Sequence, residues 1–156
     1  MLGARWSEID LEARVWTIPA NRMKAGREHR VPLSARVIAL LSGLAEVRHS
    51  ELVFPGQRRG KPYNEGALLY TLKEIGAEGA TVHGFRSSFR DWAGEETSSP
   101  REIAEQALAH ATGSAVEQAY RRGDALEKRR ALMDAWAAFC EPQDDSNVVP
   151  LRRAND

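Results

Sequence analysis

Strand-forming alternation is concentrated near the start of this chain, and most of the remaining sequence repeats with the period of a helix. Arg14-Val15-Trp16-Thr17-Ile18 alternates apolar with polar or aromatic residues and is rich in β-formers, and Glu28-His29-Arg30-Val31-Pro32-Leu33 comes after a polar connection. The pair predicts a β-hairpin whose connection, residues 19–27, carries Asn21, Lys24, Gly26 and Arg27 as a mobile basic loop. Leu52-Val53-Phe54 before Pro55-Gly56 predicts one more short strand, followed by a basic loop with Arg58, Arg59 and Lys61.

Elsewhere the pattern is helical. Ser34 stands as an N-cap before Val37, Ile38, Leu40, Leu41 and Leu44, a helix ending near Arg48. Asn64 caps a helix through Ile75, with Leu68, Leu69, Leu72 and Ile75 as its buried stripe and Gly76 as its stop. A third helix spans about residues 83–96, with Phe85, Phe89 and Trp92 on one face and His83, Arg86 and Arg90 on another. Ser99-Pro100-Arg101-Glu102 reads as a capping box opening a helix to about Ala109. After a break at Ala111-Thr112-Gly113 comes a short helix over residues 114–120, ended by Gly123. Asp124 with Glu127 opens the last helix, which buries Leu126, Met133, Trp136 and Cys140. The fold class is α+β, mainly α-helical, with a small antiparallel β-hairpin or sheet beside a helical bundle. At 156 residues this is one domain, over residues 1–140, with residues 141–156 as a flexible or partner-docking tail.

The charge balance bounds the partners. The chain has 22 Lys and Arg against 22 Asp and Glu, so it is not uniformly basic. The neutrality hides polarity, because residues 1–90 hold 14 basic and 9 acidic side chains and residues 91–156 hold 8 and 13. Such a split either sets a basic face against phosphates or pairs two halves of one domain. Lone Cys140 excludes an internal disulfide framework and fits a reducing compartment. No apolar run approaches a membrane span and no signal peptide opens the chain, so a cytoplasmic location is expected.

Several groups stand at polar positions, three of them beside helix breaks: Lys24 on the hairpin loop, His83, Arg86, His110 and Tyr120. A set rich in Lys, Arg and His with one Tyr, and without a carboxylate cluster or cysteine pair, suits an anionic phosphate better than a metal. Arg offers paired donors, Lys a mobile proton-bearing charge and His a switchable proton. Tyr is the remaining oxygen nucleophile and needs cationic neighbours to lower its phenol from about 10. Taken singly, each has a plainer reading: His83 and His110 as helix-end side chains, Arg86 and Lys24 as solvated cations, Tyr120 as packing. A zinc pair of His83 and His110 lacks a third ligand.

The arrangement as a whole is more specific. Thr81-Val82-His83-Gly84-Phe85-Arg86-Ser87-Ser88-Phe89-Arg90-Asp91-Trp92-Ala93 resembles the His-x-x-Arg box of the tyrosine recombinases, in the form found in prophage integrases. Ala107-Leu108-Ala109-His110 is similar to that family's Leu-Gly-His element, with Ala109 where Gly is commoner, and Ala119-Tyr120-Arg121-Arg122-Gly123-Asp124 to its nucleophile segment. Gly3-Ala4-Arg5-Trp6-Ser7-Glu8-Ile9-Asp10 and the stretch from Met23 through Lys24 to Leu33 resemble its β-hairpin region with the lysine. The resemblance covers about residues 2–140, with the five elements in order.

The resemblance implies roles. Tyr120 attacks the scissile DNA phosphate and forms a 3′-phosphotyrosyl link, Lys24 protonates the leaving 5′ oxygen, His83 assists proton transfer at the nucleophile, and Arg86 and His110 hold the non-bridging oxygens. Arg27, Arg58, Arg59, Lys61 and Arg90 are the candidate DNA-binding residues. Neither metal nor nucleotide cofactor is implied. The partners implied are double-stranded DNA at attachment sites and further copies of the chain on DNA, with a monomer when free, in the nucleoid of a bacterial or phage-infected cell. The family's first catalytic arginine belongs to a Thr-Gly-x-Arg-x-x-Glu stretch upstream of the tryptophan matched by Trp6, and no such stretch occurs here. The expectation is a catalytic domain shortened at its start and weakly active or inactive alone. The alternatives are a non-catalytic DNA-binding or protein-interaction remnant, or an unrelated helical domain whose histidines and tyrosine only pack.

Overall fold

Three short antiparallel strands in the order β1-β2-β3 hold the first third of the chain together. The structure is a computed structural model and describes residues 2–77, 79–110 and 123–141. The expected hairpin is strands β2 (Val15–Ile18) and β3 (His29–Pro32), with Val15 opposite Pro32 and Ile18 opposite His29. Strand β1 (Ile9–Asp10) adds a pair on the far side, a two-residue strand too short to show a period in sequence. The turn joining it to β2 is shaped by Asp10 Oδ1, which accepts the Ala13 N–H at 2.7 Å. In the hairpin connection a single 3-10 turn, Ala20–Arg22, precedes Lys24.

The strand expected at Leu52-Val53-Phe54 is not formed. Leu52 makes only an isolated bridge to Arg5, flanked by Trp6 N–H to the Glu51 carbonyl and Val53 N–H to the Ala4 carbonyl. Pro55 has no N–H with which to extend that ladder.

Among the described residues the helices are α1 (Ala35–Glu46), α2 (Glu65–Glu74), α3 (Val82–Glu95), α4 (Arg101–Ala107) and α5 (Leu126–Cys140). Ser34 Oγ accepts the Val37 N–H, Asn64 Oδ1 that of Ala67 and Thr81 Oγ1 that of Gly84, so each of the first three opens on a side-chain cap. The other two expected caps differ. Pro100, not Ser99, is the N-cap of α4 and provides no side-chain bond, while the Ser99 N–H donates to Thr97 Oγ1. Ala125 caps α5 in the left-handed region, and the Asp124 carboxylate divides between the Leu126 N–H and the Arg129 guanidinium.

Two apolar clusters form. Phe89, Trp92 and Ala93 of α3, Ile103 and Ala104 of α4 and Leu132 of α5 make one, with Trp136 packed on it and the Trp92 and Trp136 rings 5.0 Å apart. Ala4, Trp6, Leu33, Leu41 and Val53 make the other, under the sheet and α1. Buried Arg129 joins them, because its Nη1 donates to the Arg30 carbonyl of β3 at 2.6 Å while Nε and Nη2 hold the Asp124 carbonyl and carboxylate. Arg130 adds bonds to the Arg14 and Ala13 carbonyls.

The expected apolar stripes are only partly used. Among the described residues of α2 Leu72 alone is buried, while Leu69 and, just past the helix, Ile75 are 54% and 69% exposed, and in α1 Leu40 is 55% exposed. Phe85 leaves the Phe89–Trp92 face for solvent, and Cys140 is exposed where α5 has run past its cluster; Leu132 and Arg129 are the residues α5 buries. A helical period shows which residues share a face, not whether a partner covers it. Among the described residues no helix is long and apolar enough to cross a membrane. The expected short helix over residues 114–120, Tyr120 itself and the tail over residues 142–156 lie outside the described residues.

These differences predict unequal costs. Trp92→Ala should destabilise the chain by about 3–5 kcal/mol, whereas Leu69→Ala should stay within about 0.5 kcal/mol, both read from urea unfolding.

Candidate active site

The Thr81 cap sets the start of α3 so that His83 and Arg86 lie one turn apart on one face. His83 is exposed; Arg86 is half-buried and reaches across to hydrogen-bond the carbonyl of Leu108, the residue that closes α4. Just past that carbonyl the chain reverses. The Ala109 N–H bonds the Gln106 carbonyl and the His110 N–H bonds the Glu105 carbonyl, with Ala109 at φ +54. This is the Schellman way of ending a helix, in which a left-handed residue turns the chain back over its last turn. Glycine is favoured there, so Ala109 holds a strained conformation.

The reversal returns His110 to Glu105. Its Nδ1 lies 2.5 Å from a Glu105 carboxylate oxygen, and Glu105 also binds Arg90 at 2.9 Å and lies 3.7 Å from Arg101. The hydrogen bond from His110, with the charges of Arg90 and Arg101 adding to it, holds the Glu105 carboxyl below the ordinary carboxylate range despite its burial. Arg86 and the His110 segment are thereby brought together, with His83 on the same face of α3 as Arg86.

Sequence reasoning missed two residues of this neighbourhood. Glu105 carries no signal in the sequence that separates it from the neighbouring acidic residue Glu102. His29 sits half-buried on β3, bonded to the Ala107 backbone. Burial and then the Arg129 charge push its imidazole below its usual range, Arg86 adds to that, and the Ala107 bond and Asp124 oppose it. Its only signal was a titratable residue in the strand after Lys24.

The remaining candidates are on loops. Lys24 is exposed in the turn closed by the Gly26 N–H and the Met23 carbonyl, and Arg27 is exposed on the same connection. Arg58, Arg59 and Lys61 are exposed on a second turn, in which Lys61 N–H bonds the Arg58 carbonyl and Gly60 takes φ +71. Gly56 packs against its base, where a Cβ would come within 2.6 Å of the Pro62 carbonyl oxygen. Arg90, expected to face DNA, has its guanidinium on Glu105. No described residue pairs with Lys24, and no contact among the described residues joins it to Arg86 or His110. Among the described residues no group of three His, Cys, Asp or Glu could hold a metal ion.

A half-buried arginine joined to a chain reversal that displays a histidine, next to a helix start that displays another, is a donor set for an anion such as a phosphate. The phage integrase family model matches residues 1–127, and this chain belongs to that family of tyrosine recombinases. Among curated proteins, the chain is 39% identical over 149 residues to the prophage integrase IntA of Escherichia coli K12, covering 94% of this chain and 36% of that protein. It is 40% identical over 141 residues to the integrase of Shigella phage Sf6, with 88% of this chain and 36% of that protein covered. The integrase of Enterobacteria phage P4 is 32% identical over 156 residues, covering 88% of this chain and 36% of that protein. The chain therefore spans little more than a third of the relatives' length. No solved structure matches it significantly.

The end of α4 yields two expected outcomes. Ala109→Gly should raise stability by about 1 kcal/mol in urea unfolding, because it removes the left-handed penalty. Because the folded state lowers the Glu105 pKa, the unfolded chain binds that proton first, so the contribution is complete above the ordinary carboxylate value of 4.5 and is lost as pH falls below it. Glu105→Gln should accordingly flatten the acid side of a stability–pH curve.

Proposed function

We propose that this chain is the catalytic part of a site-specific DNA recombinase that cleaves and rejoins DNA at attachment sites through a 3′-phosphotyrosyl intermediate. The observation that carries the reading is the bond from Arg86 to the Leu108 carbonyl, which draws the His-x-x-Arg helix to the segment bearing His110. Family membership and relatives named as prophage and phage integrases support it.

The chemistry needs each group in turn. The Tyr120 oxygen attacks the scissile phosphorus and the bond to the 5′ oxygen breaks, while His83 takes up the phenol proton and Lys24 returns one to the leaving oxygen. Charge grows on the non-bridging oxygens, and Arg86 and His110 stabilise it as donors set in place before the reaction. The bond energy stays in the phosphotyrosine, so strand exchange requires neither nucleotide nor metal. Arg27, Arg58, Arg59 and Lys61 lie on exposed loops from which they would grip flanking phosphates, and Arg90 would join them only by loosening from Glu105. The partners in this reading are attachment-site DNA and further copies of the chain assembled on it. Residues 1–140 form the catalytic unit and residues 141–156 the tail. The 156 residues hold no Thr-Gly-x-Arg stretch, so weak cleavage is expected from them alone.

Incubation with a nicked attachment-site duplex tests the assignment. Covalent trapping on DNA should vanish in Tyr120→Phe and fall about 100- to 1000-fold in Arg86→Ala. Trapping that survives Tyr120→Phe would remove the nucleophile assignment. Salt-sensitive DNA binding without any trapping would favour the non-catalytic DNA-binding reading instead.

A further inference from the structure

Glu105 has no part in the phosphoryl transfer itself, yet it is the residue to which His110 is tied. It lies on α4 with its side chain 13% exposed, five residues before His110, and the chain reversal at Ala109 is what brings the imidazole back to it. Arg90 from α3 approaches from one side at 2.9 Å, and Arg101 from the first turn of α4 lies 3.7 Å away. Held between two guanidinium groups, the carboxylate stays ionised and can only accept hydrogen bonds. The imidazole nitrogen beside it must then carry the proton, whether the ring is neutral or charged.

We propose that Glu105 is the positioning residue for His110, accepting the Nδ1–H so that Nε2 is the nitrogen left to face the phosphate oxygen. The orientation towards phosphate rests on the recombinase reading; the tautomer does not. A free neutral imidazole in water prefers its proton on Nε2, so the carboxylate reverses the resting preference and removes the ring rotation that would otherwise scatter Nε2. Arg90 and Arg101 act one step further out, by fixing the carboxylate. Among the other groups near this end of α4, Arg86 bonds the Leu108 carbonyl and His29 the Ala107 backbone, so neither takes the place of Glu105 at Nδ1.

The tautomer can be read directly from long-range proton–nitrogen spectra of the nitrogen-15-labelled chain, above the pH at which the ring titrates. The wild-type His110 ring should show a protonated Nδ1 and a bare Nε2. Glu105→Leu should move the population towards the Nε2–H form, and Glu105→Gln, whose amide oxygen can still accept, should largely restore Nδ1–H. An Nε2–H ring in the wild type, or an unchanged ring in Glu105→Leu, would overturn the proposal. The wild-type spectrum decides the tautomer even if the Leu variant does not fold. In single-turnover cleavage Glu105→Leu should cost about 10- to 100-fold, and that loss should disappear in a His110→Ala background. Equal losses in both backgrounds would show that Glu105 acts other than through His110. Should the wild-type chain bind DNA but never cleave it, the spectrum would still decide the dyad independently of the recombinase reading.

Discussion

Arg129 is the interaction on which the architecture depends. Among the described residues it is the one charged residue that is buried as a whole, at 1% exposure. A guanidinium taken out of water is costly unless its donors are matched, and here its fork meets the Arg30 carbonyl, the Asp124 carbonyl and the Asp124 carboxylate. Those acceptors come from β3 and from the stretch just before α5, which are remote in sequence. The two apolar clusters are small, and beside Arg129 the Arg130 bonds to the Arg14 and Ala13 carbonyls also tie α5 to the sheet region. The residue next to Arg30 is His29, whose imidazole lies by the Ala107 backbone at the end of α4.

The site's own contacts lie within α3 and the end of α4, where Arg86 reaches the Leu108 carbonyl and the reversal at Ala109 returns His110 to Glu105. The polarised charge of the chain also resolves here. Acidic groups of the second half meet basic groups in internal pairs, with Glu105 on Arg90, Asp124 on Arg129 and Asp134 on Arg14, while Lys24, Arg58, Arg59 and Lys61 remain exposed on loops. Both meanings of the split, internal pairing and a basic surface, are therefore present in different residues.

Much of the local structure was legible from residue order. The hairpin, the Ser34 and Asn64 caps and the Phe89–Trp92 face are short-range consequences of strand alternation, oxygen-bearing caps and helical period. The failures share a cause. Leu52-Val53-Phe54 has strand composition but Pro55 halts its ladder; Leu69 and Ile75 have helical spacing but no described element covers them. The Ser99 box failed because the helix starts one residue later, with Pro100 as its cap.

By itself, the sequence determined the family, through the ordered His-x-x-Arg box, the histidine after it, the tyrosine segment and the lysine-bearing hairpin. Tertiary structure alone decided that a buried Arg129 joins sheet to helices, that Glu105 belongs to His110, and that His29 lies beside Ala107. Spacing along a chain specifies neighbours within one helix or hairpin, whereas those three contacts need separate segments to meet and a chain reversal to aim them. The physical reason is that burial makes an unpaired charge costly, and only the folded chain decides which charges are buried and beside what.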